Sequence, residues 1–131
     1  MNILIVDDEP QFRMVLTSLL LQEGLDVVSA ENGEDALTKL KEQEFDLVIC
    51  DVYMPVMDGI KFHKAVRAIP KFERLPFLFI SGYDDEHTVN AVNNPFVEGF
   101  LKKGRPVGVL KEWIQYLTTP EEKRPKIPPI K

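Results

Sequence analysis

Five side chains have types and positions suited to joint chemistry: Asp7 and Asp8, Asp51, Ser81 and Lys103. Each follows or closes a short apolar run, where a buried strand would end. Three carboxylates brought together repel one another, so some must bind protons or a cation must sit among them. Donors that are all oxygen, with no His or Cys, favour a hard ion, and a solvent-open cluster suits Mg²⁺ with several waters retained. That ion commonly bridges protein carboxylates to phosphoryl oxygens. A hydroxyl at Ser81 and an ammonium at Lys103 would add contacts to such a group, leaving one of the three carboxylates as a nucleophile. Taken singly, each residue has a plainer reading. Asp7 and Asp8 suit a helix start, Asp51 could cap the turn marked by Pro55 and Gly59, Ser81-Gly82 is a turn signal, and Lys102-Lys103 is a solvated strand end.

The elements that must position these residues alternate regularly. Apolar, strand-like runs cover residues 2–6, 25–30, 45–50, 76–80 and 97–101. Residues 45–50 hold no polar side chain except Asp46, as expected for a strand covered on both faces. Between the runs lie amphipathic stretches. Pro10 opens the first helix, whose apolar face is Phe12, Val15, Leu16, Leu19 and Leu20, and Gly24 ends it. Ala36, Leu37 and Leu40 mark a second helix, and residues 60–69 a third that Pro70 stops. Residues 84–94 are predicted as a weakly amphipathic fourth helix, and Val107, Leu110, Ile114 and Leu117 as the core face of a fifth. Trp113 and Tyr116 read as half-buried beside it, while His63 and His87 read as solvated and without a role. Five strands alternating with helices imply an α/β domain: a five-stranded parallel sheet, doubly wound, with every strand-to-helix turn on one edge. Ligands bind outside that edge in open α/β sheets.

The 131 residues make one ordinary domain, with 44% hydrophobic and 28% charged residues. The 21 acidic residues outweigh the 16 basic ones, for a net charge of -5, which argues against direct nucleic-acid binding. No run approaches a membrane span, and Met1 leads straight into an apolar strand and acids rather than a signal sequence, so a cytoplasmic protein is expected. Cys50 lies inside an apolar run and behaves as a small hydrophobe. Residues 118–131 carry Pro120, Pro125, Pro128 and Pro129 and few core-forming side chains. They read as a charged tail or linker after a domain of residues 1–117, and the PxxP spacing of Pro125 and Pro128 as extended chain.

Residues 2–117 resemble the receiver domain of two-component response regulators. The motifs that carry the resemblance are IVDDE at 5–9, DVYMPVMDG at 51–59, FIS at 79–81 and GFLKK at 99–103. Any one is weak, and their joint order and spacing is specific. The resemblance implies a flavodoxin-like (βα)5 fold with strand order 2-1-3-4-5, as in chemotaxis regulators. It implies that Asp51 is the phosphoacceptor and that Asp7, Asp8, Asp51 and the Tyr53 backbone carbonyl hold Mg²⁺. It further implies that Ser81 and Lys103 contact the phosphoryl group, that Phe100 holds the aromatic switch position, and that phosphorylation changes the surface of the predicted fourth helix, fifth strand and fifth helix. The phosphoryl donor would be a sensor histidine kinase or histidine phosphotransfer protein. The output partner, or an effector domain absent from this chain, is not identified, and a homodimer is left open.

The chain departs from the family pattern at Gly104, where Pro usually follows the lysine, with Pro delayed to Pro106; this leaves Lys102 as the alternative amine. Tyr53 is bulkier than usual beside the acceptor, and Gly82 follows Ser81. On this reading the protein is not an enzyme beyond its own phosphorylation and dephosphorylation. The alternatives are a phosphate-independent receiver-like interaction module and an aspartate-nucleophile phosphohydrolase. The latter is disfavoured because haloacid-type phosphatases place a second Asp where this chain has Tyr53.

Overall fold

Short apolar runs must pair to satisfy their N–H and C=O groups, and runs joined by helices pair in parallel. The computed structural model describes residues 1–82 and 90–131. Strands β1 (Asn2–Val6), β2 (Asp26–Ala30), β3 (Leu47–Asp51), β4 (Phe77–Ser81) and β5 (Glu98–Lys102) form one five-stranded sheet in the order β2-β1-β3-β4-β5. Every neighbouring pair is parallel. Helices α1 (Pro10–Gln22), α2 (Gly33–Glu42), α3 (Gly59–Arg67) and α4 (Val107–Thr118) lie against the sheet. The doubly wound parallel sheet expected from the alternation, and the flavodoxin-like strand order 2-1-3-4-5 implied by the resemblance, are both observed.

Alternate strand residues point to opposite faces, so each near-continuous apolar run feeds two cores. On one face Leu4, Val6, Val48, Cys50, Phe77 and Phe79 pack with Ala36 and Leu40 of α2 and Phe62 and Val66 of α3. On the other, Ile3, Ile5, Leu47, Ile49 and Leu78 pack with Leu16 and Leu20 of α1 and Leu110, Ile114 and Leu117 of α4. Helix starts have local causes. Pro10 sits in the first turn of α1. Asn32 caps α2 by accepting the Asp35 N–H at 2.9 Å, and Asp58 caps α3 by accepting the Lys61 N–H at 2.8 Å.

Several side chains lie elsewhere than the periodicity predicts. Val15 is 59% exposed and Val107 42% exposed, because α1 and α4 meet the sheet through Leu16, Leu20, Leu110 and Ile114 instead. Trp113 is buried rather than half-buried, its ring lying on the β5 backbone at Gly99. The predicted loop after Pro70 contains a 3-10 turn, Pro70–Phe72, that folds Phe72 into the core. The predicted fourth helix lies outside the described residues over positions 84–89, and residues 90–94 are turn and bend.

His63 is also buried, contrary to the solvated position expected from its helix face. Its ring meets Phe77 and Phe79 edge-on, and Nε2 is hydrogen-bonded to Glu98 Oε2 at the start of β5. Arg67 Nε donates to the same oxygen at 2.9 Å, and the backbone N–H groups of Asn93 and Asn94 donate to Glu98 Oε1. A polar side chain with this many partners is stable in a core. Burial alone would raise the Glu98 pKa, but the His63 bond and the two N–H donors hold it down at about 2. A depressed carboxyl pKa stabilises the fold above the unfolded value and loses that contribution as pH falls toward the folded value. Glu98→Gln is therefore expected to be less stable than wild type at pH 7 by about 2–3 kcal/mol. In urea melts the gap should close between about pH 5 and pH 2; a gap constant with pH would show that Glu98 is not ionised in the fold.

Candidate functional site

Parallel register delivers the candidate residues to one edge. Val6 pairs with Cys50, Asp51 with Ile80, and Ser81 with Lys102, so Asp7, Asp51, Ser81 and Lys103 emerge at nearly one level. The Lys103 N–H donates to the Ser81 carbonyl at 2.7 Å, which ties the end of β5 to the end of β4. Carboxylate oxygens of Asp7, Asp8 and Asp51 all lie within 4.8 Å of one another. A cleft of about 450 Å³ opens above them, lined by Asp8, Glu9, Asp51, Tyr53, Ser81 and Lys103. Asp7 is fully buried, and Asp51 is 6% exposed.

The two buried acids share one cation. Lys103 Nζ stands 2.9 Å from Asp7 Oδ2 and 3.3 Å from Asp51 Oδ2. Asp7 Oδ1 accepts the Glu9 N–H at 2.9 Å. Its Oδ2 meets Lys103 as an ion pair without hydrogen-bond alignment, so a buried carboxylate oxygen has capacity left over. Burial pushes the Asp51 carboxyl up to about 6 and the Asp7 charge adds to this, against the pull of Lys103 and the Tyr53 N–H. Burial also raises the Asp7 pKa, opposed by the Glu9 N–H and Lys103. For Lys103 burial works downward, but the two aspartates and Glu9 outweigh it and hold its pKa above the usual lysine value. An oxygen-only donor set with crowded negative charge fits a hard divalent cation.

Lys103, rather than Lys102, is the amine that meets the aspartates. The Gly104 substitution is accommodated by a turn at φ +95, a conformation that glycine adopts freely and proline cannot. Phe100 is buried at 3% exposure, paired with Phe79 across the β4–β5 register, and Tyr53 stands at the cleft mouth at 37%. Two contributors escape a reading of strand ends. Glu9 Oε1 lies 3.1 Å from Lys103 Nζ, and the Phe12 ring receives the same ammonium at 4.3 Å from its centroid. Their three-residue spacing, which places them together at the start of α1, is the signal that could have found them.

The loop between β3 and α3 is tightly built. The Gly59 N–H donates to the Val52 carbonyl at 2.8 Å, and a Cβ at Gly59 would lie 2.1 Å from the Asp51 carbonyl oxygen, so only glycine lets α3 start this close to β3. Val56, 74% exposed, sits at φ +70, a left-handed conformation that strains a β-branched residue.

Comparison with known proteins agrees with this geometry. The chain belongs to the response regulator receiver domain family, which matches residues 3–115. It is thus a two-component signalling module rather than an enzyme, of a class that interacts with histidine kinases, with an acidic pocket of Asp7, Asp8 and Asp51. It is 38% identical over 115 residues to a probable chemotaxis protein CheY of Rhizobium etli, covering 87% of this chain and 89% of that one. It is 39% identical over 102 residues to the transcriptional regulatory protein ZraR of Escherichia coli, covering 77% of this chain but only 23% of ZraR. Chemotaxis protein CheY4 of Vibrio cholerae superposes with a TM-score of 0.81 at 30% identity, over 88% of this chain and 97% of that one. The response regulator TrrA of Thermotoga maritima, solved in complex with Mg²⁺ and BeF, superposes at 0.75 with 32% identity, over 88% and 97% of the two chains. Among the described residues, no helix is long and apolar enough to cross a membrane.

Because Val56 is exposed, Val56→Gly removes the strain without losing burial. It is expected to stabilise the fold by about 1 kcal/mol, the left-handed penalty less the extra chain entropy of glycine. Thermal unfolding checks this: a raised midpoint is expected, and an unchanged or lowered one would show that the loop carries no strain at Val56.

Proposed function

We propose that this chain is a phosphorylation-controlled switch whose acceptor is Asp51. The observation that carries the reading is the set of distances around Asp51: two further carboxylates close enough to share a cation, and an ammonium 3.3 Å from its Oδ2. The donor is a phosphohistidine on a sensor histidine kinase or histidine phosphotransfer protein. An Asp51 carboxylate oxygen attacks the phosphorus, the P–N bond to the donor imidazole breaks, and the imidazole recovers a proton. The loose transition state spreads charge over the equatorial oxygens, so the chain contributes mainly positioning and charge.

Asp7, Asp8, Asp51 and the Tyr53 main-chain carbonyl are the groups that would hold Mg²⁺, which supplies neutralisation of phosphoryl oxygen charge. Lys103 pairs with the transferred group, held in place by Glu9 and Phe12. An aspartyl phosphate carries roughly two negative charges and three acceptor oxygens in place of one charge. Those oxygens draw the Ser81 hydroxyl inward, and the space released lets Phe100 change rotamer, altering the surface around β5 and the last helix. Residues 1–117 form the switching unit and residues 118–131 an appended tail. The chain spans nearly all of the Rhizobium etli relative and less than a quarter of ZraR, and both a free-standing regulator and a receiver feeding an effector are compatible with this role.

Intact-protein mass after incubation with acetyl phosphate tests the chemistry. A Mg²⁺-dependent gain of one phosphoryl group, absent in Asp51→Asn, is expected; a gain retained in the variant would move the acceptor elsewhere. Tyr53 at the cleft mouth hinders the water that hydrolyses the acyl phosphate. Tyr53→Ala should therefore shorten the phosphorylated lifetime several-fold, read as decay of the same mass. An unchanged lifetime would remove Tyr53 from the account.

A further inference from the structure

The face of α4 turned away from the rim carries a contact that the switching chemistry does not use. Trp113 is the chain's single tryptophan. Its ring lies on β5 so closely that a Cβ at Gly99 would stand 2.3 Å from it, one residue before Phe100. Its indole N–H, however, finds its acceptor outside the sheet and helices, donating to the Ile130 carbonyl at 2.8 Å. Arg105 in the loop before α4 donates from Nε to the Lys131 main-chain oxygen at 2.8 Å. At the other end of the tail, Arg124 donates to the carbonyls of Thr119, Leu117 and Phe96, and its guanidinium lies 4.9 Å from the Tyr116 ring centroid. Residues 120–131 thus run back along α4, fastened at both ends.

Between the fastenings the tail does not pack as a core element would. A cleft of about 590 Å³ separates Glu112, Gln115 and Tyr116 from Pro125, Pro128 and Pro129. The tail's own apolar side chains are not buried, with Ile127 82% and Ile130 61% exposed. It is held by hydrogen bonds, each exchangeable for a bond to water with little net change, by one cation–π contact, and by a solvent-exposed ion pair between Glu121 and Arg74, which is worth little. A segment with so little buried area opens independently of the domain. Four prolines keep it extended when open, which limits the entropy lost on closing again.

We propose that residues 120–131 are a displaceable strap, an intramolecular occupant of the aromatic surface that Trp113 and Tyr116 form on α4. The strap opens as a unit, so exposure of that surface is controlled by residues 120–131. This is independent of Asp51 chemistry. Closed, the strap satisfies the Trp113 indole N–H; open, it leaves that group and the Tyr116 face to water.

Hydrogen exchange of the Trp113 indole N–H, resolved by NMR because the chain has one tryptophan, tests the strap on the full chain. In wild type the indole N–H is expected to exchange more slowly than free indole yet faster than the β5 amides, at a rate unaffected by low urea, as local opening requires. In full-length Arg124→Ala its exchange should rise about tenfold while the β5 amides keep their rates. Exchange at the free-indole rate in wild type would show that the tail does not seat on α4. Exchange that tracks the β5 amides and accelerates with urea would show that the tail is a fixed part of the domain. Either result overturns the proposal, and wild type decides the question alone if Arg124→Ala does not fold.

Discussion

The rim is governed by the repulsion between Asp7 and Asp51, two carboxylates buried at neighbouring strand ends with one ammonium between them. Each would be costly to bury alone, and their proximity raises the pKa of Asp51 further. Lys103 relieves both, yet its charge is smaller than the sum it faces once Asp8 and Glu9 are included. That imbalance makes the site receptive to a further cation and, through it, to an anionic group. The order β2-β1-β3-β4-β5 matters here because it places β5, carrying the lysine, across β4 from the aspartates on β3 and β1. The Ser81–Lys103 backbone bond then fixes where the lysine leaves the sheet.

β5 is the strand on which most else converges. It is an edge strand, paired on one side only, and such strands need other means of holding position. Charge anchors it at both ends: Glu98 is locked by His63, Arg67 and two backbone N–H groups, and Lys103 by Asp7, Asp51, Glu9 and the Phe12 ring. Between the anchors Gly99 receives the Trp113 ring, and Phe100 turns into the opposite core. A change in charge at the rim is therefore applied to a strand that also touches α3, the segment at residues 93–94 and α4.

The architecture was legible because parallel strands buried on both faces read as continuous apolar runs, and the alternation with helices admits one handedness. The rim residues were legible for the same reason: each closes such a run, as Asp51 closes β3 and Ser81 closes β4. Periodicity failed where tertiary partners decided the outcome. Val15 and Val107 satisfy the helical pattern, but α1 and α4 meet the sheet through their neighbours. His63 lies on a mixed helix face, and only the register of β5, which brings Glu98 beneath it, explains its burial. Glu9 and Phe12 act on Lys103, 94 and 91 positions away; their local spacing places the two of them together, but only the fold brings the lysine to them. The tail's polar composition was plain, but its contacts with Trp113 run through main-chain carbonyls, which any sequence supplies.

The central claim is that Asp7, Asp8 and Asp51 form one charge cluster that takes up a divalent cation. A Mg²⁺ titration of the thermal midpoint tests it most directly, with wild type and Asp8→Asn compared at constant ionic strength. Binding to the folded state alone raises the midpoint with concentration. The account predicts a saturable rise in wild type that is weakened in Asp8→Asn. A wild-type midpoint indifferent to Mg²⁺, or an equal rise in both proteins, would contradict it.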